Sequence, residues 1–239
     1  MNGVEAVRSR GAKVDAAHLS RYARGGAVGT FGTATAGYVG ADLPVNAAVL
    51  TGAAVEWPAL EAFFEARGTA PVVQVFSGDV AVHAATLAER GYTLSMLLHV
   101  HARGLVDLPP AGHDVRELLP AAWSVLAARA FGPGSERVMQ VTAAREDTTL
   151  FACSVAGEPV GVGALSVFQG VALLFSAGTV PGARGQGVQA ALLAARLERA
   201  RALGAQAAMV LTTPGSGSER NVARAGFTLA AARATFQRR

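Results

Sequence analysis

One cysteine, Cys153, and one lysine, Lys13, serve a chain of 239 residues, and aromatic side chains make up only 6% of it. A lone cysteine closes no intrachain disulfide, which excludes a disulfide scaffold and fits a reducing compartment. Cys153 lies in an apolar, strand-like run, Thr148 to Val155, and reads as a small buried hydrophobe rather than a nucleophile. The basic residues are otherwise all arginine, no run of five or more occurs, and no aromatic residues interleave with them. Nucleic acid is therefore not expected as a partner. No apolar run is long and uncharged enough to span a bilayer, and Met1 to Gly25 carries charges but no secretory hydrophobic stretch. The expectation is a cytoplasmic protein with no membrane partner. His99 and His101 share a face of a presumed strand, yet no suitably spaced third ligand accompanies them, and His18, His83 and His113 stand alone. No metal site is expected.

What is present is apolar residue in abundance, 51% of the chain against 16% charged, enough to bury the core of one large or two small domains. The formal net charge of +4 is mild and suits a polyanionic ligand. The segment that says most runs Thr179-Val180-Pro181-Gly182-Ala183-Arg184-Gly185-Gln186-Gly187-Val188-Gln189-Ala190. An apolar strand, Val171 to Val180, leads in, and a helix, Ala190 to Gly204, leads out, with Leu193, Leu197 and Ala200 on one face and Arg196, Glu198, Arg199 and Arg201 mostly off it. Strand, glycine-rich loop and helix offer free N–H groups and a positive helix end to a phosphate. Gly185 and Gly187 let a diphosphate approach the backbone. Gly185 to Ala190 also fits the dinucleotide pattern G-x-G-x-x-G/A. That reading wants an acidic residue at the end of the next strand, and Ala205 to Leu211 runs instead into Thr212-Thr213-Pro214.

At these residues the chain resembles the GNAT superfamily of acyl-CoA-dependent N-acetyltransferases, whose signature is a strand, V-x-P-x-x-R-G-x-G-x-G/A, and a helix. Val180, Pro181, Arg184, Gly185 and Gly187 match, and Gln189 stands where the last small residue belongs, with Ala190 following. The resemblance spans most of 112–239. It implies an α+β fold, a mixed and mostly antiparallel sheet flanked by helices. It implies acetyl-CoA as acyl donor and a small-molecule or peptide amine as acceptor. Pantetheine would meet Ala177, Gly178, Thr179 and Val180, with Gly178 free to form a bulge. The backbone of Arg184, Gly185, Gln186, Gly187, Val188, Gln189 and Ala190 would hold the pyrophosphate.

The family's usual general acid is a tyrosine five residues before the phenylalanine of the terminal Gly-Phe; here that position is Val222. Asn221 and Ser218 are the nearest polar substitutes, Asn221 as a hydrogen-bond partner of the cofactor and Ser218 also as a natural helix N-cap. No carboxylate lies in Val171 to Val180, and Glu136, Asp147 and Glu158 read as loop charges. A CoA-binding sensor or scaffold without turnover therefore stands beside the enzyme as an alternative.

The chain also rhymes with itself. Leu87-Ala88-Glu89-Arg90-Gly91-Tyr92-Thr93-Leu94 recurs as Val222-Ala223-Arg224-Ala225-Gly226-Phe227-Thr228-Leu229. Helix (Pro58 to Gly68), strand (Pro71 to Phe76), helix and a last strand (Tyr92 to His101) precede the same order in the second half. Before its helix the first half reads Val49 to Trp57 and lacks the loop. Two pseudo-repeated halves follow: 1–105 as a degenerate GNAT-like half, and 112–239 as the acetyl-CoA-binding domain, divided near Leu105 to Gly112. One cofactor per chain is expected, in a monomer with an internal pseudo-dimer or in a homodimer. In the second half the spacing predicts helices over Arg116 to Phe131, Glu136 to Arg145 and Ser218 to Ala225. A hairpin is expected from Thr148 to Val155 and Pro159 to Phe168, and a final strand from Phe227 to Phe236.

Overall fold

The structure, a computed structural model, describes residues 2–22, 25–41, 43–108, 112–145 and 147–238, so the boundary residues Pro109 and Pro110 lie outside the described residues. The first half runs α1 (Gly3–Tyr22), β1 (Ala27–Tyr38), β2 (Ala47–Val55), α2 (Trp57–Glu65), β3 (Val72–Phe76), α3 (Val80–Glu89) and β4 (Tyr92–Gly104). The second runs β5 (Asp114–Glu117), α4 (Pro120–Phe131), α5 (Glu136–Ala143), β6 (Thr149–Val155), β7 (Glu158–Phe168) and β8 (Val171–Thr179). It ends with α6 (Val188–Ala202), β9 (Ala207–Thr212), α7 (Gly217–Arg224) and β10 (Thr228–Arg238).

The chain divides into two compact units: residues 101–229 with the chain up to Val7, and Arg8–Val100 with the chain from Ala230 on. These limits differ from a single boundary at 105–112. The physical reason is β10, whose residues Arg233 to Gln237 pair antiparallel with Phe76 to Val72 of β3 and so belong with the first half.

In the larger unit the strand order is β9-β8-β7-β6-β5, antiparallel except for the β8–β9 pair. Both faces are covered, as an α+β fold requires. On one, Leu192 and Leu197 of α6 pack with Leu165, Leu174 and Val210. On the other, Trp123 and Leu126 of α4 and Met139 of α5 pack with Leu150 and Val162. Trp123 is fully buried, and its Nε1–H is shared between the Phe151 and Gly163 carbonyls at 3.1 and 3.2 Å. The β6–β7 hairpin turns on Ala156 (φ 51°) and Gly157 (φ 85°). Two positive φ values in a two-residue loop make a type I′ turn, which follows the strand twist.

In the smaller unit the order is β1-β2-β3-β10-β4. β2 and β3 are parallel, Ala48 opposite Val73 and Val49 opposite Gln74. The crossing helix α2 buries Trp57, Leu60 and Phe64 against Leu50, Val73 and Val75.

Three local expectations need correction. Arg116 and Glu117 are not helical: they pair with Ala152 and Phe151 as β5, and the helix starts at Pro120, where the fixed φ and missing N–H suit a first turn. Ser218 does not cap α7. Ser216 does, accepting from the Glu219 N–H at 3.1 Å while the Glu219 carboxylate accepts from the Gly215 N–H at 2.6 Å, a variant of the reciprocal Ser-x-x-Glu cap. Arg196 is not on the solvent side of α6; it is 2% exposed.

Candidate functional site

The site begins where two strands part. β8 and β9 pair in parallel from Val171–Ala207 to Leu174–Val210, and β8 then continues to Thr179 beside β7 alone. Along the β7–β8 ladder, Phe175 faces Ala164 and Gly178 faces Val162, so Ser176 and Ala177 together oppose Gly163. This is a bulge, and Ser176 takes the strained turn at φ 45°. The family resemblance puts the bulge at Gly178, and the register with β7 puts it at Ser176 and Ala177. Instead Gly178 permits close packing, since a Cβ there would lie 3.0 Å from the Phe131 ring and 3.1 Å from the Ala130 methyl.

After β8 the chain makes a 3-10 turn over Pro181–Ala183 and swings into α6 through Gly185 (φ 81°) and Gly187 (φ 79°). Internal bonds hold the loop. Arg184 Nε donates to the Thr179 carbonyl at 3.4 Å, Gln186 Nε2 to the Gly182 carbonyl at 3.4 Å, and Gln189 Nε2 to Thr179 Oγ1 at 2.8 Å. Gln189, the departure from the family pattern, thus ties the first helical turn back to the end of β8. The backbone N–H groups of residues 185–190 make no hydrogen bond among the described residues. Six donors at the positive end of a fifteen-residue helix form an anion cradle.

This cradle opens on a groove of about 900 Å³, bounded by Phe131, Gly178, Thr179, Arg184 and α7. Gly185, Gly187, Val188, Gln189 and Ala190 line it, as do Ser218 and Asn221; Val180 and Gln186 do not. The Val180 N–H is taken by the Val160 carbonyl at 2.8 Å, so this residue anchors the strand. The Gln186 carbonyl faces His113, whose Nε2–H donates to it at 2.7 Å. His113 is therefore not isolated. A Cβ on Gly187 would also lie 3.2 Å from His113 Nε2, so the imidazole braces the loop. No spacing rule connects residue 113 to 186, and the sequence offered no signal for this contact.

The candidate acid–base groups disperse. Val222 is buried in the α6-side core. Asn221 lines the groove, and its Oδ1 accepts from Arg224 Nη1 at 3.2 Å. Glu136, Asp147 and Glu158 are not among the groove's lining residues. His101 is buried, with Nε2 3.2 Å from the Glu219 carboxylate, an ion pair when the ring is protonated. His83 is buried too, hydrogen-bonded to the Gly52 carbonyl at 3.1 Å. Burial raises the Cys153 thiol pKa, with the Asp114 charge adding to it, so a thiolate nucleophile is disfavoured there.

Residues 113–227 match the family model described as "Acetyltransferase (GNAT) family". No curated protein matches the chain. Among solved structures, a GCN5-related N-acetyltransferase from Kribbella flavida superposes with a TM-score of 0.73 at 19% identity, covering 97% of this chain and 95% of that one. An acetyltransferase of the GNAT family from Colwellia psychrerythraea gives 0.57 at 14% identity, over 98% and 97% of the two chains. A tandem GNAT protein from the clavulanic acid biosynthesis pathway gives 0.56 at 15% identity, over 76% and 68%. At these identities the likeness is one of fold.

Proposed function

We propose that this chain, whose residues 113–227 match the GNAT acetyltransferase family model, is an acetyl-CoA-dependent N-acetyltransferase that passes the acetyl group directly to an amine. The observation that carries the proposal is the set of unbonded N–H groups over residues 185–190 at the start of α6. The cradle fits a diphosphate: its two glycines hold positive φ, and a side chain at 187 would press on His113.

The loop's N–H groups and Arg184 hold the pyrophosphate, and the parted edges of β8 and β9 admit the pantetheine arm. The bound thioester supplies an activated acyl group. Its carbonyl carbon is attacked by the neutral amine, the C–S bond breaks, and the amine proton leaves through water while the thiolate is protonated. Asn221 donates a hydrogen bond to the sulfur end of the cofactor. Gly178 and Thr179, on the free edge of β8, orient the arm. A soluble acceptor and a cytoplasmic setting go with this reading; no helix among the described residues is long and apolar enough to cross a membrane.

A second reading, a CoA-binding sensor without turnover, is favoured by the buried apolar Val222 at the position of the family's tyrosine. Thiol release from acetyl-CoA across a panel of amines, polyamines, aminoglycosides and peptide N-termini separates the two. Turnover above the uncatalysed rate establishes the enzyme, and its absence with every amine favours the sensor.

A further inference from the structure

A buried cation lies under the point where β8 and β9 part. Arg196, on α6, is 2% exposed and forms one hydrogen bond among the described residues, from Nε to the Leu192 carbonyl of its own helix at 2.9 Å. Space for it comes from Gly163 of β7, where a Cβ would lie 2.9 Å from Nε and 3.0 Å from Cζ. No carboxylate meets it among the described residues. Burial pushes its pKa down to about 10, so at neutral pH the guanidinium keeps its charge. A buried charge without a partner is destabilising, and the cost is removed when a counter-charge arrives.

Arg196 also lines a cavity of about 200 Å³, with Phe175 and the bulge residue Ser176 of β8, Leu211 of β9, and Ser218 and Asn221 of α7. No other charged residue lines it among the described residues. The cavity shares Phe131, Ala177, Gln189, Ser218 and Asn221 with the larger groove, so the two are continuous.

We propose that this cleft takes a ligand carboxylate, paired end-on by the two Nη groups of Arg196. With Nε committed to Leu192, the Nη pair presents two parallel N–H donors at the spacing of two carboxylate oxygens. Ser176, Ser218 and Asn221 offer further donors for its remaining lone pairs. The proposal rests on the acyltransfer reading and narrows it. Two molecules at such a site carry a carboxylate: a donor that is the CoA half-thioester of a dicarboxylic acid, such as malonyl- or succinyl-CoA, or an acceptor that is itself an amino acid.

The test is calorimetric titration of the full chain and of Arg196→Met, using CoA, acetyl-CoA, malonyl-CoA and succinyl-CoA. In a second arm, α-amino acids and their decarboxylated amines are titrated onto the CoA-loaded protein. In one of the two arms the carboxylate-bearing ligand is expected to bind at least tenfold tighter than its neutral counterpart. Arg196→Met abolishes that preference and leaves CoA affinity unchanged. The arm that shows it identifies the carrier. Arg196→Lys keeps the charge without the fork and retains part of the preference, which gives the same reading if Arg196→Met fails to fold. CoA binding with no carboxylate preference in either arm, or a preference that survives Arg196→Met, overturns this inference alone. Loss of CoA binding by the unmodified chain overturns the acyltransfer reading and this inference with it.

Discussion

The two units contain the same crossover with different joints. In the smaller, β2 leads through α2 to the parallel strand β3; in the larger, β8 leads through α6 to the parallel strand β9. After each crossover comes a helix ending at a glycine with positive φ, Gly91 at 76° and Gly226 at 81°, with matching turns Gly91 N–H to Ala88 O and Gly226 N–H to Ala223 O. The joints between strand and helix are where they part. Glu56 alone separates β2 from α2, while residues 180–187 separate β8 from α6. The one-residue joint has no glycine turn, its Glu56 N–H is taken by the Phe31 carbonyl at 3.3 Å, and Pro58 in the first helical turn has no N–H to offer. The comparison teaches that the crossover is a packing solution shared by both units, and that the glycine loop with its unbonded N–H groups is what distinguishes the second. We propose that the smaller unit is a degenerate copy that binds no CoA.

The sharpest way to break this comparison is to separate its parts. Residues 112–239 expressed alone keep the loop but carry β10 without its partner β3, which leaves a long open strand edge. This fragment is expected to be insoluble or inactive. A stable, fully active fragment would show the first half to be an appendage.

Matched core truncations come next. Leu60 in α2 and Leu197 in α6 are both fully buried, and replacing either with alanine is expected to lower stability by about 2–5 kcal/mol in urea denaturation. At temperatures where both variants are folded, Leu60→Ala leaves acetyl-CoA affinity intact. A Leu60→Ala variant that stays folded yet loses cofactor binding would contradict the assignment of binding to the second crossover.

Gly187→Glu probes the joint. It puts a β-carbon at φ 79° and a carboxylate among the phosphate donors. Acetyl-CoA affinity is expected to fall about 100-fold, or roughly 3 kcal/mol, while urea stability changes less. Equal affinity by calorimetry would remove the loop from the site.

The smallest effect separates two serines. Ser216→Ala is expected to cost about 1 kcal/mol because it deletes the cap on the Glu219 N–H. Ser218→Ala, inside the helix, is expected to cost under about 0.5 kcal/mol and to act on ligand affinity instead. The reverse order would restore Ser218 as the cap.

What was legible in the sequence was whatever local chemistry dictates. Gly185 and Gly187 between an apolar strand and an amphipathic helix announce the loop, and the two apolar runs on either side of residues 156–158 announce the hairpin but not its turn residues. The recurrence of 87–94 at 222–229 announced the shared helix–glycine–strand ends. Long-range features were hidden. Arg196 looked solvent-facing by helical periodicity; only Gly163, on another strand, makes room for it, and a glycine inside a strand was the available hint of a close approach. The bulge moved to Ser176 because its place follows from register with β7, not from which residue tolerates positive φ most easily. Pro120 delayed the helix expected from Arg116. The Ser216-x-x-Glu219 cap was readable as a pattern, and the preference for Ser218 missed it.

The central claim is that one of two like crossovers has become a CoA site. Calorimetric titration of the full chain with acetyl-CoA tests it most directly through the stoichiometry. The account predicts one acetyl-CoA per chain. Two per chain would mean that a joint of one residue suffices for binding, and none would mean that the glycine loop binds no CoA; either result contradicts the claim.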